Sequence, residues 1–284
     1  MRLDVLGRER RAWLGRSLEP SVPLLVVLHG SGLDGRTMAT WTGLAERGRA
    51  AGFTTVFPDA VGQMWDDAGS GRRDGLDDAA FIGALIEQLT RDGLVRANAI
   101  VLAGLSNGAF FAERLARHEL VPAAMIVLVA GSARAASRQA QPRPAGKAAV
   151  LLVAGTADRL APYEGGRARG PMGMLARRRA RRTLLAASGR ESVAVEVVAA
   201  DWVLANGLPG TAAVERLAGE LTVDRLSWSK PDLPPVTVYR VNGGGHGWPG
   251  RPQYVPRFLI GPVPREPDAT GLLLDFARPL LTGG

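Results

Sequence analysis

The stretch "IVLAGLSNGAFFAERLARH", Ile100 to His118, changes character at one serine. Residues before Ser106 are apolar throughout, as in a buried strand, and those after it carry apolar side chains at helical spacing. No loop separates the two, and Gly104 and Gly108 stand two residues to either side of the serine. A chain that leaves a strand and enters a helix through one residue makes a strained turn there. Strand and helix then approach so closely that the flanking residues must be small. This feature demands a helix packed directly on a sheet, and so a layered α/β arrangement.

The rest of the chain agrees. Five apolar runs read as buried parallel strands: Leu24–His29, Phe53–Phe57, Ala99–Gly104, Ala124–Gly131 and Ala149–Gly155; a sixth, Val236–Val241, comes late. Helical patterns lie between several of them. In "DDAAFIGALIEQLT", Phe81, Ile82, Leu85, Ile86 and Leu89 share one face, Asp77 and Asp78 suit the positive N-terminus, and Gly93 follows the end. Alternating strands and helices predict a mostly parallel central sheet with helices on both faces. "RLDVL" and "RRAWLG" predict an antiparallel edge pair, and Ala133–Ala148 a polar loop. The span 155–235 is too long for a bare connection and must hold structure of its own. Within it, "SVAVEVVAADWVLANG" fits strand or helix; Val195, Val198 and Trp202 on one helical face, with Asn206-Gly207 as a stop, favour helix. No repeat or linker divides residues 1–284, which predicts one domain with an insertion at about 160–235.

Composition removes several classes of function. The chain has no cysteine and three histidines, His29, His118 and His246, which excludes thiolate chemistry and argues against a multi-histidine metal site. There is no apolar run long enough for a membrane span. No apolar signal segment opens the sequence, so it reads as cytoplasmic as written; a secreted protein with its signal removed would read the same. The net charge of +8 is almost all arginine. Its one dense cluster, "RRRARR" at Arg177–Arg182, has no interleaved aromatic residues and reads as solvated surface, with no nucleic-acid partner implied.

The serine turn has the form of the nucleophile elbow of α/β-hydrolases. In a chain with 36 glycines, G-x-S-x-G alone would also suit an ordinary phosphate-binding turn. Three other strand ends favour catalysis. "LLVVLHGSG" resembles an oxyanion loop, in which an amide of Ser31 or Gly32 would complement that of Asn107. "VLLVAGTAD" ends at Asp158, and "VYRVNGGGHGWPG" carries His246 in a glycine-rich loop. Ser106, Asp158, His246 is the chain order of a Ser-Asp-His triad on this fold. His29 comes too early for the base and reads as structural. His118 falls near a helix end, where it reads as exposed and favourable to the helix dipole. Asp201 and Asp224 are rival acids, but neither directly follows a buried apolar strand. Trp65, Tyr163, Trp202 and Trp248 lie in segments expected above the carboxyl edge of the sheet. They are candidate substrate-binding residues, with plain packing as the alternative.

On these residues the chain resembles the poly(3-hydroxybutyrate) depolymerase-like esterases of the LpqC type, which are related to the feruloyl and acetylxylan esterases of carbohydrate esterase family 1. The matching stretches are "VLHGSG", "GLDDAAFIGALIEQL", "GLSNGAFFAERLA", "GTADRLAPYEGG", "DWVLANG" and "VNGGGHGWPG". The resemblance implies an α/β-hydrolase fold and a serine carboxylic-ester hydrolase, EC 3.1.1, with Ser106 as nucleophile, His246 as base and Asp158 as acid. It implies hydroxyalkanoate or feruloyl/acetyl carbohydrate esters, small or oligomeric, as substrates, with no metal or organic cofactor. The cysteines that many relatives carry are absent, and "RRRARR" has no counterpart. The residues alone also admit a peptidase or amidase on the same triad, or a non-catalytic ligand-binding protein; they do not address oligomeric state.

Overall fold

The computed structural model describes residues 1–17, 19–69, 77–169 and 191–282; the arginine cluster Arg177–Arg182 lies outside them. Six parallel strands form the centre: β3 (Val22–Leu28), β4 (Thr54–Pro58), β5 (Val95–Leu105), β6 (Met125–Val129), β7 (Ala149–Gly155) and β10 (Val236–Val241), in the order β4-β3-β5-β6-β7-β10. All five apolar runs and the late sixth are therefore strands of this one sheet. Antiparallel strands extend both edges. β1 (Arg2–Val5) and β2 (Arg8–Gly15) pair beyond β4, as their sequences predict. β8 (Ala213–Leu217) and β9 (Val223–Trp228) lie beyond β10.

The apolar runs are continuous because both faces of the sheet are covered. Side chains alternate across a strand, so Leu24, Val26 and Leu28 enter one core and Leu25 and Val27 the other. The first core is closed by α3 (Asp78–Arg91), α4 (Asn107–Arg117) and α6 (Val195–Asn206). The second is closed by α1 (Gly35–Trp41), α2 (Leu44–Ala50) and α7 (Ala269–Ala277). The ambiguous stretch is the helix α6, and Gly207 ends it in the left-handed conformation at φ 73°. Asp77 caps α3 through the Ala80 amide. Asp78 instead turns to Arg10, in a buried pair at 2.7 Å that ties α3 to β2. The predicted polar loop 133–148 contains a short helix, α5 (Ala135–Ala140).

The sheet order reverses between β3 and β5: the chain leaves β3 for β4 on one side and returns to β5 on the other. Crevices at such switch points, outside the carboxyl ends of the strands, are where α/β sheets bind ligands. The loop after β3 and the serine turn after β5 both open there.

The turn is possible only because of its glycines. A Cβ on Gly108 would stand 2.3 Å from the Leu28 carbonyl oxygen and 2.6 Å from that of His29; one on Gly104 would stand 2.3 Å from the Gly108 carbonyl carbon. These contacts are backbone and cannot rotate away. Gly108→Ala is expected to cost about 3 kcal/mol of stability by overpacking. Urea unfolding checks this; an unchanged midpoint would contradict the close approach.

Candidate active site

Ser106 has φ 53° and ψ −116°, a conformation that costs a non-glycine residue roughly 1–3 kcal/mol. It is held there by its own amide, which donates to Val129 O at 2.9 Å, and by its carbonyl, which accepts from Phe110 N at 3.0 Å. The strain lifts the side chain off the sheet at the N-terminus of α4.

Asp158 follows β7 and His246 follows β10, and the two meet. His246 Nδ1 lies 2.7 Å from Asp158 Oδ2, with both side chains buried. The other carboxylate oxygen, Oδ1, accepts from the Leu160 and Ala161 amides at 2.8 Å each. In the neutral imidazole, a proton on Nδ1 donated to the carboxylate leaves the lone pair on Nε2. The glycines of "NGGGHGWPG" make this close packing possible. His246 N donates to Ile260 O at 2.7 Å, and a Cβ on Gly245 would stand 2.3 Å from that same oxygen. Ser106 leads from β5, two strands from β7 and so about 10 Å across the sheet. The Ser106 hydroxyl makes no hydrogen bond to His246 or to any other described residue.

The amides around the serine are unequal. Gly32 N donates to Gln63 O at 2.9 Å, so this candidate oxyanion donor is already committed. The amides of Ser31 and Asn107 have no acceptor among the described residues. For Asn107 this follows from its place in the first turn of α4, where amides lack an intrahelical acceptor.

His29 is fully buried. Its Nε2 accepts from Ala60 N at 3.0 Å, so Nδ1 carries the proton and donates to Gly30 O at 2.8 Å. It braces the loop, as expected, and burial pushes its pKa down. A histidine kept neutral in the fold contributes stability that is complete above the unfolded pKa near 6.5 and is lost as pH falls below it. The unfolding free energy is therefore expected to decline below about pH 6.5 more steeply in the wild type than in His29→Gln. Urea titrations between pH 5 and 8 check this; parallel curves would contradict it.

His118 is half-buried at the end of α4, bonded to Ser137 Oγ at 3.1 Å, and burial with Arg114 pushes its pKa down. It is not the exposed residue the sequence suggested. Both rival acids are occupied: Asp201 binds Arg117 at 3.1 Å and Arg138 at 2.7 Å. Asp224 accepts from Arg216, Asn242 and Arg240, which hold its carboxyl well below the ordinary range.

The four aromatic candidates for substrate binding are withdrawn from solvent. Trp65, Trp202 and Trp248 are at most 1% exposed and Tyr163 is 3% exposed. Trp202 belongs to the core under α6. Tyr163 donates to Glu196 Oε1 at 2.9 Å, and Trp248 Nε1 to Thr270 Oγ1 at 3.0 Å. Among the described residues no three histidine, aspartate or glutamate side chains group as metal ligands, and no helix is long and apolar enough to cross a membrane.

Sheet, switch point and serine turn together define the α/β-hydrolase fold. Two solved structures share it over most of their length. Acetyl xylan esterase from Aspergillus awamori superposes with a TM-score of 0.57 at 11% identity, covering 87% of this chain and 93% of that one. Esterase PE8 superposes with a TM-score of 0.52 at 16% identity, covering 96% and 99%. In sequence, the chain is 28% identical over 290 residues to "Putative esterase NocK" of Nocardia uniformis subsp. tsuyamanensis, covering 96% of this chain and 80% of the relative. No family model matches the chain.

Proposed function

We propose that the chain is a serine carboxylic-ester hydrolase with Ser106 as nucleophile, His246 as base and Asp158 as the acid that orients it. The observation that carries this reading is the buried Asp158–His246 bond, two strands from a strained serine at the carboxyl edge. A protein that only bound a ligand would have no use for a carboxylate that fixes the histidine's tautomer. Similarity to a protein named as an esterase supports the same class.

The mechanism has two steps. His246 Nε2 takes the Ser106 proton as the oxygen attacks the ester carbonyl. Asp158 stabilises the imidazolium, and the Ser31 and Asn107 amides stabilise the tetrahedral oxyanion. The imidazolium then gives its proton to the departing alcohol, leaving an acyl-serine. Water attacks that acyl group, His246 takes the water's proton, and the proton returns to Ser106 as the acid leaves. The sequence resemblance makes hydroxyalkanoate or feruloyl/acetyl carbohydrate esters the proposed substrates. A panel of p-nitrophenyl esters, methyl ferulate, hydroxybutyrate oligomers and peptide anilides tests the reading. Ester turnover with little anilide turnover is expected; anilide turnover at equal kcat/KM would make the chain an amidase or peptidase instead.

A further inference from the structure

Trp65 cannot stack on a substrate ring, yet its polar atoms reach both sides of the serine. Its backbone amide donates to Asn107 Oδ1 at 2.7 Å, and its carbonyl accepts from Asn107 Nδ2 at 3.2 Å. Its indole Nε1 donates to His29 O at 3.0 Å, two residues before Ser31. The ring lies parallel to that of Phe111 on α4, with centroids 5.3 Å apart, and tilts against His29 at 5.1 Å.

The rest of this short segment grips the same loop. Ala60 N donates to the His29 ring, and Gln63 O accepts from Gly32 N. To do so the chain takes left-handed conformations at Gly62 and at Gln63, with φ 65° and 57°. Residues 60–65 thus hold the β3 loop on both sides of Ser31, and they hold Asn107 by both ends of its carboxamide. The Ser31 and Asn107 amides, which lack acceptors among the described residues, sit on the two parts so joined.

We infer that Trp65 and the Asn107 carboxamide are positioning residues for the proposed acyl transfer, fixing the spacing between the Ser31 and Asn107 amides. This rests on the esterase reading above. Preorganised donors act on charge that develops only in the transition state. Losing their spacing should therefore lower kcat and leave KM nearly alone. A residue that served stability alone would lower the amount of folded enzyme and not the turnover of each folded molecule.

The test is Trp65→Phe, which removes the indole N–H and keeps a ring against Phe111, with Asn107→Ala as a second variant should the first not fold. Activity on a p-nitrophenyl ester is measured per folded molecule, well below each variant's unfolding midpoint. A fall in kcat of about 10–100-fold is expected, the scale of a small misplacement of catalytic groups. KM should stay within about threefold, and affinity for a boronic-acid transition-state analogue should fall in step with kcat/KM. If wild-type turnover requires Ser106 but the folded variants keep kcat within about twofold, or lose only KM, the inference is overturned alone. If wild-type turnover survives Ser106→Ala, the esterase reading falls and this inference with it.

Discussion

Ser106→Ala is expected to lower kcat on a p-nitrophenyl ester by about four to six orders of magnitude, the loss seen when an activated serine is removed from a triad. No other hydroxyl stands at a strained turn beside an amide without an acceptor, among the described residues. Folding should be unaffected, because alanine meets the same backbone strain as serine. Ser106→Gly makes the contrast sharper. Glycine adopts φ 53° without penalty, so this variant should be equally inactive and more stable by about 1 kcal/mol. A loss of activity that tracked a loss of stability would point to a structural serine; for a nucleophile the two are expected to move in opposite directions.

Asp158→Asn carries the second large effect, a fall in kcat of about 10⁴-fold with little change in KM. The carboxylate accepts two backbone amides on Oδ1 and the His246 ring on Oδ2. An asparagine that keeps the amide bonds turns its NH2 group toward Nδ1. Nδ1 must then accept, the ring proton moves to Nε2, and Nε2 can no longer take a proton from Ser106. The comparison that isolates this effect is Asp224→Asn. Asp224 is also buried and also sits beyond the central strands, but its three partners are Arg216, Arg240 and Asn242. Its loss should lower the unfolding midpoint at neutral pH and leave kcat close to wild type. Steady-state kinetics of the two variants side by side decide which aspartate serves the histidine.

What could be read before the structure divides along physical lines. The parallel strands were legible because burial on both faces leaves only apolar residues, a signal independent of tertiary detail. The Ser106 turn was legible because backbone-to-backbone contact admits only glycine at positions 104 and 108. β8 and β9 were not read. β8 is "AVERL", almost wholly exposed, and β9 buries Leu226 and Trp228 on the same face as the charged Asp224, with Arg225 between, so neither shows a clean apolar run. The role of the aromatic residues is not legible in the sequence for a related reason. An aromatic side chain near a strand end serves equally well over a substrate or between helix and sheet, and only packing decides. The choice between the Ser31 and Gly32 amides was equally closed, because it turns on an acceptor at Gln63, 31 residues from Gly32. One signal was available and unread. An asparagine in the buried first turn of a helix needs partners for its carboxamide, and those partners are the backbone of Trp65.

The most direct measurement is the site of covalent labelling by a fluorophosphonate, read by mass spectrometry of the digested protein. One adduct is expected, on the peptide containing Ser106, absent from Ser106→Ala and formed much more slowly in His246→Ala. An adduct on any other serine, or labelling that survives Ser106→Ala, would contradict it.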